Sequence, residues 1–277
     1  MRIYNKGGDI PFRKFVFPDG QPHVEIQTRP DVNEVVTIET AIRNPDELFN
    51  VLLAKDALDS VGCFAVNLDI RYLMGARMDR RIGNGHTLTL SVVAKMLVRK
   101  FRQIRVLDPH SSATNALLGA KSVYPLKVMR SILRLYNPDH TYILAPDAGS
   151  TNRVLELLKA DKREFDILQG AKKRNPETGE LQGFEIVTPI VNKHWDVLIL
   201  DDICDGGRTF TGMAEVLKGH GIKNVDLYVT HGVFSKSVPL KGIRHLITTD
   251  SYTDIVKRED LNSTFLWITN VRMQDEP

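Results

Sequence analysis

Short apolar runs alternate along the chain with longer segments in which apolar residues recur at helical spacing. The runs that predict strands, many of them ending in Asp or His, are "CFAVNLDI", "IRVLD", "TYILAPD", "FDILQ", "VLILDD", "VDLYVTHGVF" and "HLITTD". The segments that predict helices are "HTLTLSVVAKMLVRKF", "STNRVLELLKAD" and "TFTGMAEVLKGHG", and the last closes on Gly221 as a terminated helix would. This alternation predicts an α/β protein with a mostly parallel sheet covered by helices on both faces.

A weak internal repeat divides the chain into two parts. The segments "IRVLDPHSSATNALLGA" and "VLILDDICDGGRTFTGMAEVL" share the order of apolar strand, acidic tip, small polar loop and helix. We therefore predict two similar α/β domains, residues 1–136 and 137–277, joined near the Asn-Pro-Asp turn of "RLYNPDH". Ligands of such sheets lie beyond the carboxyl ends of the strands. The polar stretch "QGAKKRNPETGELQGFEI" predicts an exposed, mobile loop or a hairpin.

Composition and charge narrow the class of protein only a little. The 277 residues include two cysteines, Cys63 and Cys204, without the spacing of a disulfide framework or a zinc site. No apolar run approaches the roughly 18 residues that span a bilayer, and the N-terminus lacks the apolar middle of a signal peptide. We expect a cytoplasmic protein with reduced thiols. The net charge of +3 suits a polyphosphate ligand as well as a nucleic acid.

The segment "VLILDDICDGGRTF" places candidate chemistry at the end of an apolar strand. Before the next predicted helix it supplies carboxylates, glycines, a cation and a hydroxyl: Asp201, Asp202, Asp205, Gly206, Gly207, Arg208 and Thr209. A glycine turn that feeds a helix presents backbone N–H groups at the positive end of the helix dipole, which favours a phosphate. Asp201 and Asp202 would repel that anion, so they need hydroxyls or a metal. A ribose 5-phosphate group meets both requirements, and a surface turn with helix-capping acids is the plainer alternative.

The same segment resembles the ribose-phosphate binding loop of the phosphoribosyltransferase fold. Further motifs stand in the order and spacing of one family with that fold: "FPDGQPHVEI", "GARMDRR", "LDPHSSAT", "APDAGSTNR", "AKKR" and "THGVFS". Over roughly residues 14–250, the chain therefore resembles the ribose-phosphate pyrophosphokinases. The resemblance implies two phosphoribosyltransferase-like domains, the first on the ATP side and the second carrying the ribose 5-phosphate loop. It also implies transfer of the β,γ-diphosphoryl group of ATP to the 1-hydroxyl of ribose 5-phosphate.

Catalytic and metal-binding roles follow from the resemblance. Lys172 and Arg174 match the family's catalytic basic pair on a flexible loop, and Lys173 between them should point the other way in an extended segment. His110 matches the histidine that contacts the metal-bound triphosphate, and Asp147 matches its acidic partner at a second magnesium. Magnesium, the implied cofactor, prefers oxygen ligands and keeps several waters. Because diphosphoryl transfer loads charge onto oxygens, catalysis should consist of positioning and cations.

A nucleotide site is implied in the first domain. Arg77 matches an arginine that packs against adenine and reaches the phosphates, and Phe17 matches the aromatic residue on the other side of the base. Asp19 and Gln21 stand where the family has an Asn and a Glu that read the adenine edge. In the family this strand comes from the neighbouring subunit, so we expect a homo-oligomer, at least a dimer. ATP and ribose 5-phosphate are the expected partners, with no nucleic acid and no membrane.

Several positions depart from the family pattern. Met78 and Ile82 replace a Gln and an Asp near the nucleotide. Gly206 replaces a Thr two residues before Arg208, whose guanidinium can grip a phosphate. A first βα unit and a long final helix are expected to be missing, so we expect inhibition by ADP to be weakened or absent. A phosphoribosyltransferase and a non-catalytic homologue remain as alternatives, although the N-terminal motifs disfavour the first and the retained catalytic groups disfavour the second.

Overall fold

A computed structural model gives the structure of residues 1–174, 181–236, 239–252 and 266–276. The chain divides into two compact units, Met1–Val123 and Tyr124–Pro277. Each unit is built around a mostly parallel sheet flanked by helices, which confirms the predicted α/β class. The division falls before the helix Leu126–Leu133, whereas the sequence analysis placed the join after residue 136.

The first unit contains one mixed sheet and one separate hairpin. Its strands are β1 Arg2–Asn5, β2 Gly8–Asp9, β3 Phe12–Val16, β4 Pro22–Ile26, β5 Val36–Ile42, β6 Val66–Leu73, β7 Gln103–Leu107 and β8 Lys121–Val123. Its helices are α1 Pro45–Ser60, α2 Thr89–Leu97 and α3 Ser112–Leu118. The sheet has the order β2-β1-β5-β6-β7-β8, in which β5 to β8 are parallel and β1 is antiparallel to both neighbours. Strands β3 and β4 pair only with each other, antiparallel.

Strands β5 to β7 alternate between an apolar and a charged face. Ile38, Leu68 and Ile104 are neighbours across the sheet and are buried in the core of the unit. One residue further along each strand, Glu39, Asp69 and Arg105 are neighbours on the opposite face. There the Nε of Arg105 donates a 2.8 Å hydrogen bond to Oδ1 of the fully buried Asp69. The opposite charges of Asp69 and Arg105, in register across β6 and β7, satisfy each other on this face.

The second unit contains a seven-stranded sheet. Its strands are β9 Thr141–Ala145, β10 Asp166–Arg174, β11 Leu181–Ile186, β12 Asp196–Cys204, β13 Val225–Gly232, β14 Leu246–Thr249 and β15 Leu266–Thr269. Among the described residues of this unit, the helices are α4 Leu126–Leu133, α5 Thr151–Leu158 and α6 Arg208–Gly219, with short 3-10 helices at Pro138–His140 and Met273–Asp275. The order is β11-β10-β9-β12-β13-β14-β15, and every pair is parallel except β10 with β11.

Helix α4 belongs to the second unit because its polar contacts lie there. The backbone N–H of Lys127 donates to Oε2 of Glu276 at 2.9 Å, and Nε of Arg130 donates to the carbonyl of Ala160 at 3.0 Å. Just after the helix, the hydroxyl of Tyr136 donates a 2.9 Å hydrogen bond to Oδ2 of the buried Asp226. A boundary after residue 136 would separate all three pairs.

The central strands of the second sheet match the apolar runs in the sequence. All five residues of β9 and all eight of β13 are buried, as expected for parallel strands covered on both faces.

The predicted helix stop is also confirmed. Gly221, with φ of +94°, donates from its N–H to the carbonyl of Lys218, and Ile222 donates to that of Leu217. These two bonds form a Schellman motif that ends α6.

The polar stretch predicted as a loop or hairpin forms the two arms of a hairpin. Gly170 to Arg174 of β10 pair antiparallel with Leu181 to Ile186 of β11. The turn between the arms, residues 175–180, lies outside the described residues, as does the side chain of Arg174.

Both cysteines are buried free thiols. Within the described ranges, no helix is long and apolar enough to cross a membrane.

Candidate active site

The loop between β12 and α6 has the geometry of an anion site. Helix α6 begins at Arg208 with Gly207 as its N-cap, and no side chain caps the helix there. Gly207 has a φ of +74°, and a Cβ at this position would overlap the side chain of Leu240. The first N–H groups of a helix have no partner within the helix and stand at its positive end. A turn that admits only glycine therefore leaves these donors open to a phosphate.

The segment after β13 holds this loop in place. The backbone N–H groups of Val233 and Phe234 both donate to the carbonyl of Cys204, at 2.9 and 3.1 Å. These residues belong to the "THGVFS" motif, so the motif has a structural role beside the phosphate loop. Burial, followed by the negative charge of Asp205, raises the pKa of Cys204 to about 12. The thiol therefore stays protonated at neutral pH and is not a nucleophile.

Two neighbouring carboxylates stand at the end of β12. The side chain of Asp202 is 4% exposed and that of Asp201 is 16% exposed. Nη1 of Arg153, on α5, lies 3.3 Å from Oδ1 of Asp201 and 3.5 Å from Oδ1 of Asp202. Burial and then the charge of Asp202 raise the pKa of Asp201, and Arg153 acts in the opposite direction. Asp201 is the more accessible of the two to a ligand hydroxyl.

Sequence reasoning did not single out Arg153. It is the last residue of the quoted motif "APDAGSTNR", and it is 8% exposed. Its helix buries Val154 and Leu157 on the same side. A cation on the buried face of a helix needs a carboxylate partner inside the protein. The position of Arg153 among the apolar residues of the predicted helix is visible in the sequence and could have indicated such a partner.

Asp147 and Lys172 form a second pair in this unit. Nζ of Lys172, on β10, lies 2.7 Å from Oδ2 of Asp147, in the loop between β9 and α5. The backbone N–H of Ser150 donates to Oδ1 of Asp147 at 3.1 Å. Burial alone would raise the pKa of Asp147, but the hydrogen bond and charge of Lys172, with the Ser150 N–H, lower it. Asp147 is therefore an ionised carboxylate with a lysine ammonium beside it.

Lys173 points away from this pair, as the extended backbone predicts. Its Nζ lies 3.0 Å from Oε2 of Glu185 on β11, and both side chains are about half exposed. Successive side chains of a strand lie on opposite faces, so Lys172 and Lys173 separate. The predicted role of Arg174 falls on a side chain outside the described residues.

Sheet order brings the two groups of the second unit to one edge. Strands β10, β9 and β12 are adjacent and parallel. Lys172, Asp147 and Asp201 lie near or just beyond the carboxyl ends of these strands, and Arg153 links α5 to the last part of β12. This edge is where ligands of parallel sheets bind.

The predicted nucleotide residues lie in the first unit. Arg77 follows β6 and His110 follows β7, which are adjacent parallel strands, and both side chains are exposed. Phe17, Asp19 and Gln21 form the tip of the hairpin of β3 and β4, on the separate two-stranded sheet.

The hairpin tip is a hydrogen-bonded turn. The N–H of Phe17 donates to the carbonyl of Gln21 at 2.8 Å. Gln21 donates from its backbone N–H and its Nε2 to the carboxylate of Asp19, at 3.1 and 3.0 Å. Phe17 is 46% exposed and meets Phe15 edge to face, with ring centroids 5.1 Å apart. The tip presents an aromatic ring with polar acceptors beside it.

Comparison with known proteins identifies the family. The model of the phosphoribosyl transferase domain matches residues 127–266. The ribose-phosphate pyrophosphokinase of Pyrococcus abyssi is 30% identical over 244 residues, covering 85% of this chain and 82% of that protein. The chain belongs to the ribose-phosphate pyrophosphokinase family. The enzyme of the same name from Maricaulis maris is 28% identical over 247 residues, covering 86% of this chain and 78% of that protein.

A solved structure of a synthetase has the same fold as this chain. The phosphoribosylpyrophosphate synthetase of Mycobacterium smegmatis matches with a TM-score of 0.77 and 18% identity. The match covers 94% of this chain and 86% of that one. Both units therefore have counterparts in one synthetase fold, which confirms the predicted pair of phosphoribosyltransferase-like domains.

The donor groups of the site fit a divalent metal carried by a substrate. Membership of the pyrophosphokinase family is consistent with a divalent-metal requirement. No cluster of three or more His, Cys, Asp or Glu side chains forms a ready-made metal cage among the described residues. Magnesium in phosphate-transfer sites usually has one or two protein carboxylates, substrate oxygens and waters. The ionised Asp147, with one oxygen on Lys172 and one on the Ser150 N–H, supplies a carboxylate of that kind.

Proposed function

We propose that this pyrophosphokinase transfers the β,γ-diphosphoryl group of ATP to the 1-hydroxyl of ribose 5-phosphate. The products are phosphoribosyl pyrophosphate and AMP. The observation that carries the proposal is that the Asp201 and Asp202 carboxylates, near the end of β12, are followed directly by the glycine-capped start of α6. Few ligands besides a phosphorylated sugar offer hydroxyls to the two carboxylates and an anion to the start of α6.

The sugar phosphate would be held by the whole loop from Asp201 to Thr209. Its 5-phosphate accepts hydrogen bonds from the first N–H groups of α6, with the hydroxyl of Thr209 and the guanidinium of Arg208 as further donors. Its ribose hydroxyls donate to Asp201 and Asp202. Asp205 completes the acidic side of the loop. Gly206 and Gly207 add no side chains of their own in the anion's path.

Lys172 is the catalytic residue that we assign to the diphosphoryl group, with Arg174 as its partner. In the free protein the ammonium of Lys172 is paired with Asp147. A polyphosphate would compete for that ammonium, which would leave the carboxylate of Asp147 for magnesium. From the family resemblance alone, we assign His110 to the metal-bound triphosphate. Bound magnesium would supply positive charge to the phosphate oxygens.

The reaction balances without a covalent enzyme intermediate. The 1-hydroxyl oxygen forms a bond to the β-phosphorus of ATP, and the bond from that phosphorus to the α,β-bridging oxygen breaks. The bridging oxygen leaves with AMP, and the hydroxyl proton passes to solvent water. Charge accumulates on the phosphoryl oxygens, which is where the cations Lys172 and Arg174 act.

We assign the nucleotide to Phe17, Asp19, Gln21, Arg77 and His110. The exposed ring of Phe17 supports an adenine contact, because an aromatic face left open at a hairpin tip can stack on a base. Arg77 and His110 follow the adjacent parallel strands β6 and β7, which supports a shared role for them in phosphate binding. Following the family resemblance, we propose that Phe17 is contributed to a neighbouring copy, so that the active form is at least a dimer.

Product analysis distinguishes this function from its alternatives. The purified chain is incubated with ATP, ribose 5-phosphate and magnesium, and the nucleotides are separated by chromatography. AMP that appears only when ribose 5-phosphate is present supports the proposal, and ADP would contradict it. Release of pyrophosphate from phosphoribosyl pyrophosphate in the presence of a purine base would instead indicate a phosphoribosyltransferase. Absence of both reactions would indicate a non-catalytic homologue.

A further inference from the structure

A lysine that the sequence analysis did not single out lies over the phosphate loop. Lys236 follows β13, two residues after Phe234, whose N–H is anchored on the carbonyl of Cys204. Its side-chain stem packs against Gly206. The Cδ and Cε atoms of Lys236 lie 3.4 and 3.5 Å from the point where a Cβ of Gly206 would stand. The stem therefore occupies the space that a larger residue at position 206 would need.

The ammonium of Lys236 is not neutralised by any residue that the structure describes. Within the described parts of the chain, neither Lys236 nor Arg208 makes an ion pair or a side-chain hydrogen bond, and both side chains are exposed. In contrast, the carboxylates of Asp201 and Asp202 on the strand side of the loop already share Arg153. The helix side of the loop therefore combines two free cations with the positive end of α6.

We propose that Lys236 binds the phosphate group of the sugar phosphate held by this loop. The inference rests on the proposed function for the identity of the sugar, and its ligand class is a phosphate monoester dianion. The ammonium is one bond beyond the Cε that lies over Gly206, and Gly206 stands directly before Gly207, the N-cap of α6. A mobile ammonium on an anchored stem donates three hydrogen bonds as a point charge.

The chemistry of position 206 explains why a lysine is useful here. A glycine offers no side-chain donor to the anion, and its missing side chain leaves a gap above the turn. Lys236 fills that gap with methylene groups and delivers a charged donor in place of a neutral one. Charge-assisted hydrogen bonds to phosphate are roughly twice as strong as neutral ones.

The charge is tested separately from the packing. Lys236→Met keeps an unbranched apolar stem over Gly206 and removes only the ammonium. We expect the KM for ribose 5-phosphate to rise about tenfold or more, while kcat and the KM for ATP change less than about twofold. Lys236→Arg should restore most of the lost affinity. Lys241→Met is the matched control, because Lys241 is an exposed lysine of the same segment without contact to Gly206.

Direct binding keeps this test independent of turnover. Calorimetric titration of ribose 5-phosphate into the native chain and Lys236→Met should show the same tenfold loss of affinity. If the native chain makes AMP and Lys236→Met has an unchanged KM and affinity, the inference is overturned and the proposed function stands. If the native chain makes no AMP but binds ribose 5-phosphate in a manner dependent on Lys236, the inference stands and the function falls. Failure of the native chain to bind ribose 5-phosphate overturns both.

Discussion

Nη1 of Arg153 lies 3.3 Å from Oδ1 of Asp201, and the same atom lies 3.5 Å from Oδ1 of Asp202. One buried guanidinium thus serves both carboxylates. Burial and the charge of Asp202 raise the pKa of Asp201. Because the ionised form is the one that accepts hydrogen bonds from two hydroxyls, protonation of Asp201 weakens sugar binding. We expect kcat/KM for ribose 5-phosphate to fall, on acidification, at a higher pH than an ordinary aspartate would give.

Two variants should shift this fall of kcat/KM at low pH, the acid limb of the pH profile, in opposite directions along the pH axis. Asp202→Asn removes a negative neighbour, which lowers the pKa of Asp201 and shifts the limb to lower pH. Arg153→Met removes a positive neighbour, which raises that pKa and shifts the limb to higher pH. Complete pH profiles of kcat/KM check both shifts, independently of the absolute loss of rate. A limb that stays in place in both variants would show that another group controls it.

Lys172→Ala should reduce kcat by about a hundredfold or more, since removing one fixed donor to transition-state charge costs that much in other enzymes. Stability should change little, because the lysine side chain is 30% exposed. Steady-state assays and a thermal melt measure the two effects.

Lys173→Ala is the matched control for this loss. Lys173 has the same chemistry one residue further along β10, but it pairs with Glu185 on the other face. Its replacement should leave kcat within about twofold, as most surface changes away from special features do. Equal losses in the two variants would indicate that general positive charge, rather than the position of Lys172, supports catalysis.

Gly207→Ala should destabilise the second unit. A residue with a Cβ at a φ of +74° costs about 1–3 kcal/mol, and the new methyl group would also overlap Leu240. We expect the apparent Tm to fall by several degrees and the affinity for ribose 5-phosphate to fall with it. Gly219→Ala, on the last turn of the same helix and with no atom within 4 Å of its Cβ position, should be neutral or stabilising.

Mixing two variants that are each impaired at low ATP tests whether Phe17 acts across subunits. Phe17→Ala should raise the KM for ATP without changing that for ribose 5-phosphate, whereas Val16→Ala, also exposed, should not. If the ring serves a neighbouring copy, a mixture of Phe17→Ala and Lys172→Ala contains sites with both residues intact. Such mixtures should regain activity at low ATP. Activity that stays equal to the sum of the separate variants would place Phe17 in its own subunit's site.

The apolar runs and glycines of the sequence were sufficient to predict the central strands and the glycine turn between β12 and α6. Strand β12 and helix α6 were found because buried parallel strands are continuous apolar runs and because Gly207 and Gly221 mark two turns. The first unit was predicted less completely. Strand β5 and helix α1 were not named, although Asn44 accepts a hydrogen bond from the Glu47 N–H and Pro45 occupies the first helical turn.

Contacts between distant parts of the chain could not be read from local patterns. The boundary of the units depends on Tyr136 and Asp226, which are 90 residues apart. The cation that serves Asp201 comes from α5, and the stem that covers Gly206 comes from the segment after β13. Spacing places residues on strands and loops, whereas packing decides which loops meet.

Phosphorus-31 NMR of the native chain with ATP, ribose 5-phosphate and magnesium tests the central claim most directly. We expect the signals of ATP to be replaced, one for one, by AMP and by two coupled resonances of a diphosphate on the sugar, beside an unchanged 5-phosphate. Formation of ADP with a single new phosphate on the sugar would contradict transfer of an intact diphosphoryl group. Unchanged ATP under the same conditions would contradict the assignment of an active enzyme.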